Sequence, residues 1–121
     1  MGGGRKKEEV SLASELNFSI GFIRIAIQEI EKPRNLEIER RAHLDNEARK
    51  LRNVLDTLKP WASREDIKRD VRTTLQTQIC TPLSELCNNL DEYRSWRKDP
   101  THLVESLRAI LAEMEKLYKK L

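Results

Sequence analysis

No run of about 18 apolar residues occurs in the chain, so nothing in it reads as a transmembrane helix. Its opening, MGGGRKKEEV, lacks the apolar core of a signal peptide, which points to an intracellular, cytoplasmic protein. Aromatic residues make up only 5% of the sequence, too few to line an aromatic pocket or to fill a sheet-rich core. Neither sign of charge dominates: 23 basic residues stand against 20 acidic ones, giving +3. That mixture describes a surface laced with ion pairs, not the concentrated basic footprint of a dedicated nucleic-acid binder. There are two cysteines, Cys80 and Cys87, seven positions apart in a helical stretch. Two turns of helix, roughly 10 Å, is too far for a disulfide between them. They form no Cys-x-x-Cys motif, and His43 and His102 lie far apart, so neither a metal site nor a cofactor is expected. We read both cysteines as small, buried, reduced core residues.

What the sequence has in quantity is charge in helical register. At 121 residues and 36% charged, the chain is long enough for one core built from amphipathic helices. The stretch that organises it is Leu12–Glu31, LASELNFSIGFIRIAIQEIE. At about 100° per residue, Leu12, Leu16, Ile20, Ile23, Ile27 and Ile30 fall along one face. Phe18, Phe22 and Ile25 fall on nearly the opposite one and include both phenylalanines of the chain. The polar strip is Asn17, Gly21, Arg24, Gln28 and Glu31. An ordinary surface helix carries an apolar stripe a little over ~100° wide. This helix is apolar or small around roughly twice that arc, so its second face is either buried by the rest of the chain or offered to a partner.

Helix one is expected to start near Ser11, after a flexible segment 1–10, and to stop before Pro33. Asn35 is a good N-cap for helix two, which runs to about Leu58 before Pro60. Its stripe is Leu44, Ala48, Leu51, Leu55 and Leu58, with mixed charge, Glu47 included, on the outer face. Pro60-Trp61-Ala62-Ser63 reads as a turn, and Ser63-Arg64-Glu65-Asp66 resembles a capping box for helix three. The third stripe is Ile67, Val71, Leu75 and Ile79, continuing through Leu83, Leu86, Leu90 and Tyr93. Thr81-Pro82 either kinks this helix or begins a new one, and the near-continuous stripe favours a kink. Asp99 and Pro100 make a clean start for the last helix, whose heptad is Leu103, Leu107, Ile110, Met114, Leu117 and Leu121. The short connections favour antiparallel neighbours. The expected fold is therefore all-α: an up-and-down four-helix bundle over 11–121, with a long third helix kinked or broken at Pro82.

Candidate chemistry is sparse. His43 on the outside of helix two invites comparison with histidine phosphotransfer domains, which carry lysine and glycine shortly after the histidine. Here Asp45, Asn46 and Glu47 follow, and carboxylates would oppose a phosphorylated imidazole. Gly2 with Arg5, Lys6 and Lys7 touches on a myristoyl-plus-basic anchor, but Lys6 stands where that motif prefers Ser or Thr. Arg97-Lys98-Asp99-Pro100-Thr101-His102 resembles the Arg-x4-His signature of HEPN-type ribonucleases, helical bundles of about this size. The resemblance covers six residues, and Lys98 departs from the small polar residue or histidine usual after the arginine. It implies an RNA-cleaving dimer in which Arg97 and His102 of two subunits meet. Separately, Arg64, Lys68 and Arg72 line one stripe of helix three and are candidate phosphate contacts for a nucleic acid, with Glu65, Asp66 and Asp70 interleaved.

Against these stands the expectation the composition favours: a non-enzymatic helical-bundle module for protein–protein interaction. It would self-associate, or bind a partner, through Phe18, Phe22 and Ile25 of helix one, as an adaptor or accessory subunit of a larger assembly. The HEPN-like pair Arg97 and His102 defines the alternative, an RNA-cleaving or RNA-binding dimer.

Overall fold

The computed structural model describes residues 3–32, 37–90 and 100–121, with side chains described for 12–32, 42, 44–90 and 101–121. All of its regular structure is helical, and no strand occurs among the described residues. Helix α1 spans Gly3–Glu31 and α2 spans Glu37–Leu58. A 3₁₀ turn, Lys59–Ser63, leads to a helical rod made of α3 (Arg69–Thr74), a π-helical turn (Leu75–Cys80) and α4 (Thr81–Asn88). The last helix, α5, spans Pro100–Lys120. Helix α1 packs against α2 and α5, while α4 and the π turn pack against the same two helices. The four helical units thus enclose one core, with α1 and the rod at opposite corners.

In α1 and α5 that core follows the stripes expected from periodicity. Leu12, Leu16, Ile20, Ile23 and Ile27 of α1 are buried, as are Leu103, Leu107, Ile110, Met114 and Leu117 of α5. Both cysteines are free and buried. Helix α2 ends at Leu58, as Pro60 requires, and Pro60 sits in the first turn of the 3₁₀ segment, where its missing N–H costs nothing. Trp61 packs against the core from there.

Three details correct the expectation and one refines it. Helix α1 begins at Gly3, not near Ser11, so the segment expected to be flexible is helical from its third residue. The run Arg5–Glu9 consists of strong helix formers, which outweigh the glycines before it. The capping box at Ser63–Asp66 does not form: α3 starts only at Arg69, and Lys68, its N-cap, is extended at ψ 140°. The box residues are engaged elsewhere, because Arg64 donates to both carboxylate oxygens of Asp66, at 3.0 and 2.7 Å. Arg64 also lies 4.5 Å from the centroid of the Trp61 ring. The expected caps Asn35 and Asp99, and Tyr93 of the third stripe, lie outside the described residues.

The third point concerns Pro82, where the continuous helix favoured by the apolar stripe forms and gains a detail. The backbone stays helical through Thr74, Leu75, Cys80 and Thr81, so the rod is not broken there. Instead the six residues just before Thr81 widen into a π turn. Two pressures favour it. Pro82 cannot donate to the carbonyl four residues back, and its ring crowds that carbonyl; a wider turn relieves both. Moreover, Ile67, Val71, Leu75, Ile79 and Leu83, all buried, recur every four residues. On a strict 3.6-residue helix that spacing drifts about 40° per step, and a wider turn absorbs the drift.

The fourth point, a correction, is in α2. Its buried positions are Leu44, Glu47, Leu51, Val54 and Leu58, while Ala48 and Leu55 are only partly buried. The inward face is therefore rotated by roughly 40° from the all-leucine stripe. Glu47, expected on the outside, is 1% exposed. One carboxylate oxygen accepts from Lys50 Nζ at 3.1 Å, and the other has no hydrogen-bond partner among the described residues.

Candidate docking surface

Among the described residues, α1 packs chiefly against α2 and α5. Phe18, Phe22 and Ile25, at i, i+4 and i+7, stand on the other side at 71%, 46% and 48% exposure. They are three of the four large apolar side chains left exposed among the described residues; Tyr118 of α5 is the fourth. Among the described residues the rod lies across the core from α1 and leaves this face exposed.

The three side chains form a ridge with a groove on either flank. One groove, about 250 Å³, is lined by Asn17, Phe18, Gly21, Phe22 and Ile25. The other, about 200 Å³, lies between α1 and α2, where Phe18 and Phe22 face Lys50, Asn53, Val54 and Thr57. A Cβ placed at Gly21 would meet nothing within 4 Å, so the surface is open there. On the α5 side, Arg24 Nη2 donates to Glu115 Oε1 at 3.0 Å, and Arg108 Nη2 donates to Glu31 Oε1 at 2.6 Å. These exposed pairs add little stability, but they neutralise the α1–α5 border and leave the ridge in a surface of balanced charge.

In three comparisons with known proteins, no family model, no curated protein and no solved structure matches this chain. Its functional reading therefore rests on geometry.

The other sequence-derived candidates lie away from this face. Arg64 is held by Asp66 and Trp61, Lys68 is exposed at the N-cap of α3, and Arg72 lines a shallow groove with Arg69, Thr73 and Gln76. His102 points into solvent at the start of α5, 71% exposed, with Glu105 4.0 Å from its Nδ1. Arg97 lies outside the described residues, as does the side chain of His43, whose backbone belongs to α2. Among the described residues, no three His, Cys, Asp or Glu side chains gather where one metal ion could bind. No helix among them is long and apolar enough to cross a membrane.

The cysteine thiols are poor nucleophiles. Burial pushes the Cys80 thiol from 9.0 up to about 11, against the opposing pull of the Lys59 ammonium. Burial likewise raises Cys87, with Arg52 pulling the other way and Asp56 adding to the rise. Reactive cysteines have depressed values, so neither thiol is set up for redox or nucleophilic chemistry. The groove beside Gly21 escaped the sequence analysis, which placed Gly21 in the polar strip. Its helical position next to Phe22 was the available signal.

Proposed function

We propose that this protein is a non-enzymatic helical-bundle module for protein–protein interaction, which self-associates through the outer face of α1 and serves as an adaptor or accessory subunit of a larger assembly. The observation that carries this is the ridge of Phe18, Phe22 and Ile25, left in water on a helix whose opposite face buries Leu12, Leu16, Ile20, Ile23 and Ile27. Burying a large apolar side chain stabilises by about 1.5–3 kcal/mol, so three partly exposed ones leave several kcal/mol available to an interface. Single exposed apolar residues are commonplace, but a contiguous ridge rimmed by polar residues marks an interaction site.

Sedimentation across a concentration series tests this reading. Wild type should show mass-dependent association, and Phe18→Asp combined with Phe22→Asp should give a monomer of unchanged helicity, because both side chains are exposed within one chain. A wild type that stays monomeric throughout, or a double variant that associates as before, would refute it.

A further inference from the structure

We infer that the groove between the 3₁₀ turn and the rod is a binding site for a single phosphate monoester, held by Arg69 and Arg72 with Thr73 and Gln76. The site lies apart from the α1 face and does not depend on the role proposed for it.

Arg69, Arg72, Thr73 and Gln76 stand at i, i+3, i+4 and i+7, so they neighbour one another along one side of the rod. The 3₁₀ turn packs against α3 and the π turn and contributes Ala62 to the groove. With Thr77 these residues line about 290 Å³. That is the lower end for a small-molecule site and suits a phosphate on a short carrier.

Three observations point to an anion. First, the lining carries two permanent positive charges and no carboxylate. The nearest acids in sequence are occupied: Asp70 accepts from the Val71 backbone N–H at 3.0 Å, and Asp66 holds Arg64. The guanidinium groups of Arg24, Arg64 and Arg108 each have a carboxylate within 3.0 Å, whereas Arg69 and Arg72 have none among the described residues. Second, Arg72 is half-buried, and its Nε is buried without a hydrogen-bond partner among the described residues. A cation drawn partly out of water and left unpaired carries a desolvation cost, which a bound counter-charge offsets. Third, Gln76 and Thr77 belong to the π turn, and such turns recur at functional sites.

The donors select phosphate. Two guanidinium forks one turn apart match the paired oxygens of a phosphate group. The Thr73 hydroxyl and the Gln76 amide add neutral donors, and Gln76 Nε2 is otherwise engaged only with Thr81 Oγ1, at 3.5 Å. A nucleic-acid strand needs a row of cations, but the rod carries none from Thr73 to Leu90. One phosphate is therefore the unit recognised. Two charge-assisted contacts in a groove open to solvent correspond to a dissociation constant on the order of 1 mM.

The test pairs an NMR titration of the full chain with glycerol 3-phosphate and flotation with phosphatidylcholine vesicles containing phosphatidic acid. The two probes present the same monoester free and on a lipid headgroup. Glycerol 3-phosphate should shift the Thr73 and Gln76 amides saturably, and Arg69→Gln or Arg72→Gln should weaken it by about ten-fold. Arg24→Gln, on α1, should titrate as wild type does. Vesicle binding that needs the same two arginines would assign the phosphate to a lipid headgroup; binding of the free ester alone would assign it to a soluble molecule. Arg69 is exposed, so Arg69→Gln keeps the fold and decides the matter if Arg72→Gln unfolds. Shifts reproduced by sodium chloride at equal ionic strength, an unchanged affinity in Arg69→Gln, or no binding of either probe would overturn the site. Single-stranded RNA that bound through these arginines where both probes failed would replace it with a nucleic-acid site.

Discussion

The buried carboxylate of Glu47 offers the sharpest energetic test of the packing in α2. Its side chain is 1% exposed, one oxygen is bound to Lys50 at 3.1 Å, and the other is buried without a partner among the described residues. An unsatisfied buried acceptor costs about 1–3 kcal/mol, and a charge-assisted hydrogen bond returns about 1.5–3 kcal/mol. Lys50 is 35% exposed, so solvent screens the pair and the lower end of that return applies. The carboxylate is then close to neutral or mildly destabilising, whereas a leucine at the same place would add apolar burial. Glu47→Leu should stabilise the protein by about 1–3 kcal/mol, because an apolar replacement of a buried ion pair removes its desolvation cost. Lys50→Met should do the opposite, destabilising by roughly 1–3 kcal/mol, since it strands the carboxylate without any partner. Urea unfolding followed by circular dichroism separates the two, provided the m-value stays constant. The rotated stripe of α2 would be refuted if Glu47→Leu proved destabilising while Lys50→Met had no effect, the pattern of an exposed glutamate.

Three further outcomes follow from the structure. Because the folded Cys80 thiol titrates near 11 against 9.0 for a free one, its contribution is complete below pH 9 and is lost as pH rises toward 11; the loss amounts to about 2–3 kcal/mol and should be absent from the pH dependence of Cys80→Ala. An equal alkaline slope in both proteins would contradict this. Pro82→Ala should stabilise by only about 1 kcal/mol, because the π turn already relieves most of the ~3 kcal/mol that an interior proline costs; a gain near the full amount would show that it does not. His102→Ala should change stability by less than about 0.5 kcal/mol, as expected for an exposed side chain, and ribonuclease activity that this substitution abolished would instead restore the HEPN-like alternative.

Local pattern determined much of this protein. The period of leucine and isoleucine along α1 and α5 marked their buried faces, and prolines at 60 and 100 placed the end of α2 and the start of α5, because a missing N–H is tolerated only at such places. Periodicity also identified Phe18, Phe22 and Ile25 as a second apolar face. Whether that face would be covered was not a local matter. It depended on how α2 and α5 pack against α1 and on the rod sitting across the core from it among the described residues. The same distinction explains the misplaced details. Glu47 and Val54 turn inward because α2 is oriented by its neighbours, not by its own leucines, and a rotation of roughly 40° exchanges one helical stripe for the next. The Ser63 box lost to the pairing of Arg64 with Asp66 and its stacking on Trp61. Gly21 became part of a groove only once the side chains around it had been placed. Sequence period reports which residues share a face, because that follows from the geometry of a single helix; what each face meets is decided by the other helices.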